Sequence, residues 1–113
     1  MFDQRLELSP FALFRRLKEG DPPLLVDVRP SPGRLSFQGA LPCPGPEWSP
    51  PRDRDVVLID DDGTLARERA AALQEAGWTT VRSLFGGLDL YDFALDPEVV
   101  GTERFLEDSG LRE

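Results

Sequence analysis

The sequence predicts a three-layer α/β domain, with a mostly parallel central sheet flanked by helices on both faces. Three observations carry this. Short apolar runs at residues 24–28 (L-L-V-D-V) and Val56–Ile59 are bounded by turn residues, as strands buried on both faces are. Those runs alternate with helical patterns in the order strand, helix, strand, loop, strand, helix, strand, helix, which argues for parallel strands joined by crossover helices. A polar turn at residues 60–64 joins the second run directly to a helix, the place where such sheets hold ligands. The length of 113 residues, 40% of them apolar, suits one domain over residues 1–113.

Each element has a local reason. Ser9 is placed to cap a helix whose first residue is Pro10. Phe11, Phe14 and Leu17 recur at helical spacing, with Leu13 beside them, and Gly20 is placed to end the helix. Residues 21–23 (D-P-P) form a turn before the first apolar run. From 30 to 54 the chain is rich in proline, glycine and serine, which excludes regular helix. Its length predicts an ordered excursion with one short strand, anchored by Phe37, Leu41 and Trp48. Val56–Ile59 is the clearest strand. A helix is predicted over 65–76, with Ala66, Ala70 and Leu73 on one face and Gly77 at its end. Residues 79–81 begin a further strand, which Gly86 and Gly87 break. Residues 88–95 form a short helix, Asp96 and Pro97 stop it, and 102–108 read as a final helix.

Composition narrows the chemistry. The formal charge is −8, and the pI is near 4.5. That argues against nucleic acid, whose phosphates need clustered Lys and Arg. An acidic surface aids solubility and can steer a basic partner. No apolar run reaches the roughly 18 residues of a membrane span. Residues 1–7 are mixed and charged, unlike a signal peptide. One cysteine, Cys43, forms no internal disulfide, so a cytoplasmic setting is expected. There is no histidine, which removes histidine bases, His–Asp triads and His-bound zinc. The absence of asparagine, the single Met and Cys and the frequent Pro are compatible with a heat-adapted source, though the single lysine, Lys18, is not.

Several segments together resemble the rhodanese-like (sulfurtransferase-like) family. Residues 24–30 read L-L-V-D-V-R-P, similar to that family's L-L-[IV]-D-V-R strand. Gly39, Ala40 and Leu41 look like its G-A-[IL]. Residues 56–77 resemble its active-site strand, loop and helix. Residues 81–87, V-R-S-L-F-G-G, are similar to its V-x-x-L-x-G-G. The resemblance covers about 6–95 and leaves 97–113 as a C-terminal extension. It implies the fold, and it implies where the family's chemistry would lie. The family's loop reads C-x-x-G-x-R-S. The same positions here are Asp60, Asp61, Asp62, Gly63, Thr64, Leu65 and Ala66, so an aspartate stands where the catalytic cysteine would be. A carboxylate is a hard, weak nucleophile and cannot carry a persulfide. Two like charges about 4 Å apart cost about 4 kcal/mol at an effective dielectric of 20, so the loop should repel anionic thiosulfate. The family's glutamate after D-V-R is also missing, with Ser31, Pro32 and Gly33 in its place. The resemblance therefore implies a non-catalytic binding or structural module, with Asp27 and Arg29 as a structural ion pair beside the loop that orders the Pro-rich excursion.

Residues 57–65, V-L-I-D-D-D-G-T-L, also match the first motif of haloacid-dehalogenase-like phosphohydrolases, h-h-h-D-x-D-G-T-[LV]. There the first aspartate attacks phosphorus, the second moves protons, and Mg²⁺ neutralises the charge. Asp60 and Asp62 would take those roles here, and as carboxylates they suit Mg²⁺ or Mn²⁺. That family also needs a downstream cation and further metal-binding carboxylates. By themselves the three aspartates read as a solvated turn that favours the next helix through its dipole. Arg67 and Arg69 are expected to answer them. Cys43, in L-P-C-P-G, is the alternative thiol for residual sulfur transfer. The expectation is thus no required cofactor, with Mg²⁺ or Mn²⁺ at Asp60 and Asp62 as the alternative. The expected partner is another protein, with neither nucleic acid nor membrane.

Overall fold

The computed structural model describes residues 4–29, 35–41, 49–101 and 104–108. In chain order the elements are β1 (Glu7–Leu8), α1 (Pro10–Lys18), β2 (Leu24–Asp27), β3 (Leu35–Phe37), β4 (Val56–Ile59), α2 (Thr64–Glu75), β5 (Val81–Leu84), α3 (Gly87–Ala94), α4 (Pro97–Val100) and β6 (Leu106–Asp108). The central sheet has the order β1-β5-β4-β2, and every pairing in it is parallel. β3 and β6 form a separate antiparallel pair. No described helix is long and apolar enough to cross a membrane.

Strand alternation divides the sheet's apolar residues between two cores. Val57 and Ile59 of β4 point to one side, where Leu13 of α1 and Leu88 and Tyr91 of α3 cover them. Val56 and Leu58 point to the other, against Ala66 and Ala70 of α2. Because both faces are covered, β4 is apolar at all four positions, which is why its sequence shows no alternation. Each such residue contributes roughly 1.5–3 kcal/mol of burial. On α2 the small side chains of Ala66 and Ala70 let the helix lie close to the sheet.

The first helix starts as expected: Ser9 accepts a hydrogen bond from the Ala12 amide at 3.2 Å, and Pro10 sits at the first position. Gly20 takes the left-handed conformation just after it. The apolar face is narrower than the sequence reading, since Leu13 is fully buried while Phe11 is exposed. The excursion after β2 does contain a short strand, β3, and Phe37 is a buried anchor. Leu41 anchors differently. Its side chain is exposed, but its backbone bridges β2: the Asp27 amide donates to the Leu41 carbonyl at 2.8 Å, and the Leu41 amide donates to Leu25 at 2.9 Å. Trp48 lies outside the described residues.

Of two expectations near the C-terminal end, one holds and one fails. The helix α3 ends at Ala94, before Asp96 and Pro97, as expected. Asp96 accepts from the Glu98 amide at 3.0 Å and caps a new one-turn helix, α4, with Pro97 at its first position. Residues 106–108 form strand β6, not a helix, because β3 offers an open ladder for them. A segment this short takes its conformation from its partner rather than from its own propensity.

Candidate functional site

The residues of the polar turn lie at the carboxyl ends of the parallel strands, between β4 and the start of α2. Asp60 is the first residue past β4 and is only 4% exposed. One carboxylate oxygen accepts the Gly63 amide at 2.6 Å, and the other accepts the Leu65 and Ala66 amides at 2.9 and 3.1 Å. Those N–H groups have no partner within the helix, so Asp60 acts as a helix cap from three residues upstream of the cap position. Gly63 occupies the cap position itself with φ +89, a conformation in which other residues are strained.

Asp61 and Asp62 behave otherwise. Both are exposed. An Asp62 oxygen accepts the Thr64 amide at 3.0 Å, and the Thr64 amide and hydroxyl hold its carboxyl below the usual range. Asp61 receives Arg29 Nη1 at 2.9 Å. The reading of a solvated turn thus holds for two of the aspartates and fails for the first, which burial between β4 and α2 turns inward. Burial pushes the Asp60 carboxyl up, against the pull of its three amide donors, and the nearby Asp62 charge adds to the rise.

Asp27 and Arg29 are both buried and paired as expected. The Arg29 guanidinium donates from Nε to Asp27 at 2.9 and 3.2 Å and from Nη2 at 2.7 Å. Nη2 also reaches the Leu35 carbonyl at 2.9 Å. One planar cation therefore ties together the end of β2, strand β3 and the polar loop, which lysine's single point of charge could not do. The expectation that Arg67 answers the aspartates is corrected. Arg67 pairs with Glu7 on β1 at 3.5 Å, while Asp61 is served by Arg29. Arg29 is already oriented toward the loop by Asp27, so it reaches Asp61 first.

The loop's other wall is the start of α3. The Leu88 and Asp89 amides donate to the carbonyls of Asp60 and Asp61 at 2.8 and 2.9 Å. Gly86 and Gly87 make this approach possible, and both have positive φ. Beside the loop is an open cleft of about 350 Å³, bordered by Glu7, Asp62, Thr64, Arg67, Phe85 and Gly86. Glu7 and the Leu35 carbonyl were missed from sequence. The pattern L-E-L at 6–8 was the available signal for Glu7, since it alternates as a strand does. Leu65 is half-buried and Ala66 fully buried against the second core, so neither offers a polar group to the cleft. Among the described residues, no group of three or more acidic or cysteine side chains is placed to hold a metal ion. Cys43 lies outside the described residues.

Substitution of Asp60 tests this arrangement. Asp60→Ala leaves the Gly63, Leu65 and Ala66 amides without their acceptor and is expected to cost about 2–3 kcal/mol in urea unfolding. Asp60→Asn keeps one acceptor and should cost less. The pH dependence has a definite sign. The folded value lies above the unfolded 3.8, so the group's contribution is full below that pH and is lost as pH rises through the folded value. The stability gap between wild type and Asp60→Asn is therefore expected to narrow as pH increases from the unfolded value. A gap that widens over that range would contradict this sign.

Two solved structures share this architecture. A rhodanese-related protein from Thermoplasma volcanium is 15% identical, with a TM-score of 0.61 over 79% of this chain and 92% of its own. A rhodanese homolog from the extremely thermophilic bacterium Thermus thermophilus is 35% identical, with a TM-score of 0.57 over 74% of this chain and 96% of its own. No family model matches the sequence, and neither does any curated protein. With 35% identity over nearly the whole length of the Thermus thermophilus protein, and with the parallel sheet, the D-V-R strand end and the Gly-Gly wall in place, this chain belongs to the rhodanese-like family.

Proposed function

We infer that this chain is a rhodanese-like domain that has lost the family's sulfur-carrying nucleophile and serves as a binding or structural module. The observation that carries the reading is the state of Asp60, the residue at the family's cysteine position. Both of its oxygens are taken by amides of its own loop and helix. A thiolate in that place would use those amides to lower its pKa and would remain a soft nucleophile. The carboxylate is hard, buried and fully engaged, so it works as a cap. Asp61 and Asp62 further oppose an anionic sulfur donor. The net acidic surface favours a protein partner with a basic face.

The test is a thiosulfate-to-cyanide transfer assay on wild type and Cys43→Ala, run beside a metal-supplemented panel of phosphate esters. No thiocyanate above the uncatalysed rate and no metal-stimulated hydrolysis are expected. Transfer that disappears in Cys43→Ala would overturn the reading in favour of a displaced thiol. Metal-stimulated hydrolysis that disappears in Asp60→Asn would overturn it in favour of phosphoryl chemistry at Asp60 and Asp62.

A further inference from the structure

Residues 104–108 are bound to three separate parts of the fold. Arg104 Nη1 donates to the Asp92 side chain at 3.0 Å and to the carbonyls of Asp92 and Leu95 at 3.2 and 2.9 Å, so it covers the open C-terminal end of α3. The Tyr91 hydroxyl, on a fully buried ring, donates to the Arg104 carbonyl at 2.9 Å. Phe105 holds φ +65, which is unusual for a bulky residue, and its ring meets Phe14 of α1 at 6.0 Å. Strand β6 then pairs with β3 in the register Leu35 to Asp108 and Phe37 to Leu106, and the Gln38 amide extends the ladder to the Phe105 carbonyl at 2.8 Å. Among the described residues β3 has no strand neighbour other than β6.

What β3 holds gives this a consequence at the polar loop. The Leu35 carbonyl takes Arg29 Nη2 at 2.9 Å, and the other terminal nitrogen of that guanidinium takes Asp61 at 2.9 Å. A continuous series of bonded groups therefore runs from β6 through β3 and Arg29 to the polar loop. We propose that residues 104–108 are a strap that holds β3 in register and, through Leu35 and Arg29, fixes Asp61, so that the shape of the 60–66 loop is conditional on a docked C-terminal segment. Displacing β6 frees the Leu35 carbonyl to move, and Arg29, still bound to Asp27, loses the third point that sets its plane. The loop is then left with Asp60 and Asp62 as its side-chain clamps to α2.

Amide hydrogen exchange on the full chain tests this, comparing wild type, Glu107→Pro and Glu107→Ala. Glu107 is exposed and sits at the middle of β6, so proline there removes a ladder donor without opening the core, and alanine is the control. Exchange at least about tenfold faster is expected in Glu107→Pro at the Ser36 and Gln38 amides, which face β6, and at the Thr64 and Asp89 amides, with Val57, Leu58 and Ser83 unchanged. Glu107→Ala should match wild type. Faster exchange in β3 with Thr64 and Asp89 unaffected would overturn the proposal, as would unchanged exchange in β3. Should Glu107→Pro not fold, Arg104→Gln, which cuts only the grip on α3, is judged at the same amides. Uniform acceleration there, with Val57 and Ser83 included, would also overturn it.

Discussion

Gly87→Ala is expected to cost at least about 4 kcal/mol, a fall in melting temperature of roughly 15 °C for a chain of this size, or to prevent folding. A Cβ at this position would stand 2.5 Å from the Asp61 carbonyl carbon, 2.6 Å from its oxygen and 2.6 Å from the Asp62 nitrogen. All three are backbone atoms, so no side chain can swing aside. The loop or the start of α3 would have to move, and with either the Leu88 and Asp89 amides leave the Asp60 and Asp61 carbonyls. The left-handed backbone adds about 1 kcal/mol for alanine. Gly39→Ala separates the two causes. Gly39 also has positive φ, at +78, but nothing lies within 4 Å of an added Cβ. It should show the backbone cost alone, about 1 kcal/mol. Equal losses in the two variants, measured by urea unfolding, would show that the close approach of α3 to the loop carries no weight.

Arg29→Met is expected to cost about 3–5 kcal/mol, because it leaves the Asp27 carboxylate buried without its cation. Asp27 is only 5% exposed, and the backbone amide of residue 29, at 3.0 Å, would be its one remaining donor of those it receives from Arg29. Arg29→Lys should fall between, since an ammonium cannot reach Asp27, Leu35 and Asp61 together. The double variant Asp27→Asn with Arg29→Met should recover part of the loss, because the uncompensated charge is gone. A loss under about 1 kcal/mol for Arg29→Met would mean that water reaches Asp27 and that the pair is not the clamp described here.

Local sequence determined most of the regular elements, for reasons that act over a few residues. Val56–Ile59 reads as a strand because a parallel strand covered on both faces must be apolar throughout. Ser9 and Pro10 start α1 because a capping hydroxyl and a fixed φ need no distant partner. The spacing of the D-V-R end, the 56–77 unit and the Gly-Gly pair was enough to place the family, since each glycine answers a backbone requirement that nothing else meets.

Tertiary structure decided what depended on groups far apart in the chain. Three consecutive aspartates look alike in sequence, yet packing of α2 on β4 turns Asp60 inward as a cap while Asp61 and Asp62 stay in water. Arg29 reaches Asp61 across 32 positions, and no local pattern encodes that contact. Residues 106–108 carry helix-compatible residues but pair as a strand, because β3 presents unpaired backbone groups that must be satisfied. Glu7 stands in the mixed and charged stretch 1–7, yet it is buried against Arg67. In each case the local preference is a few tenths of a kcal/mol per residue, and a buried hydrogen bond or ion pair made in the folded state outweighs it.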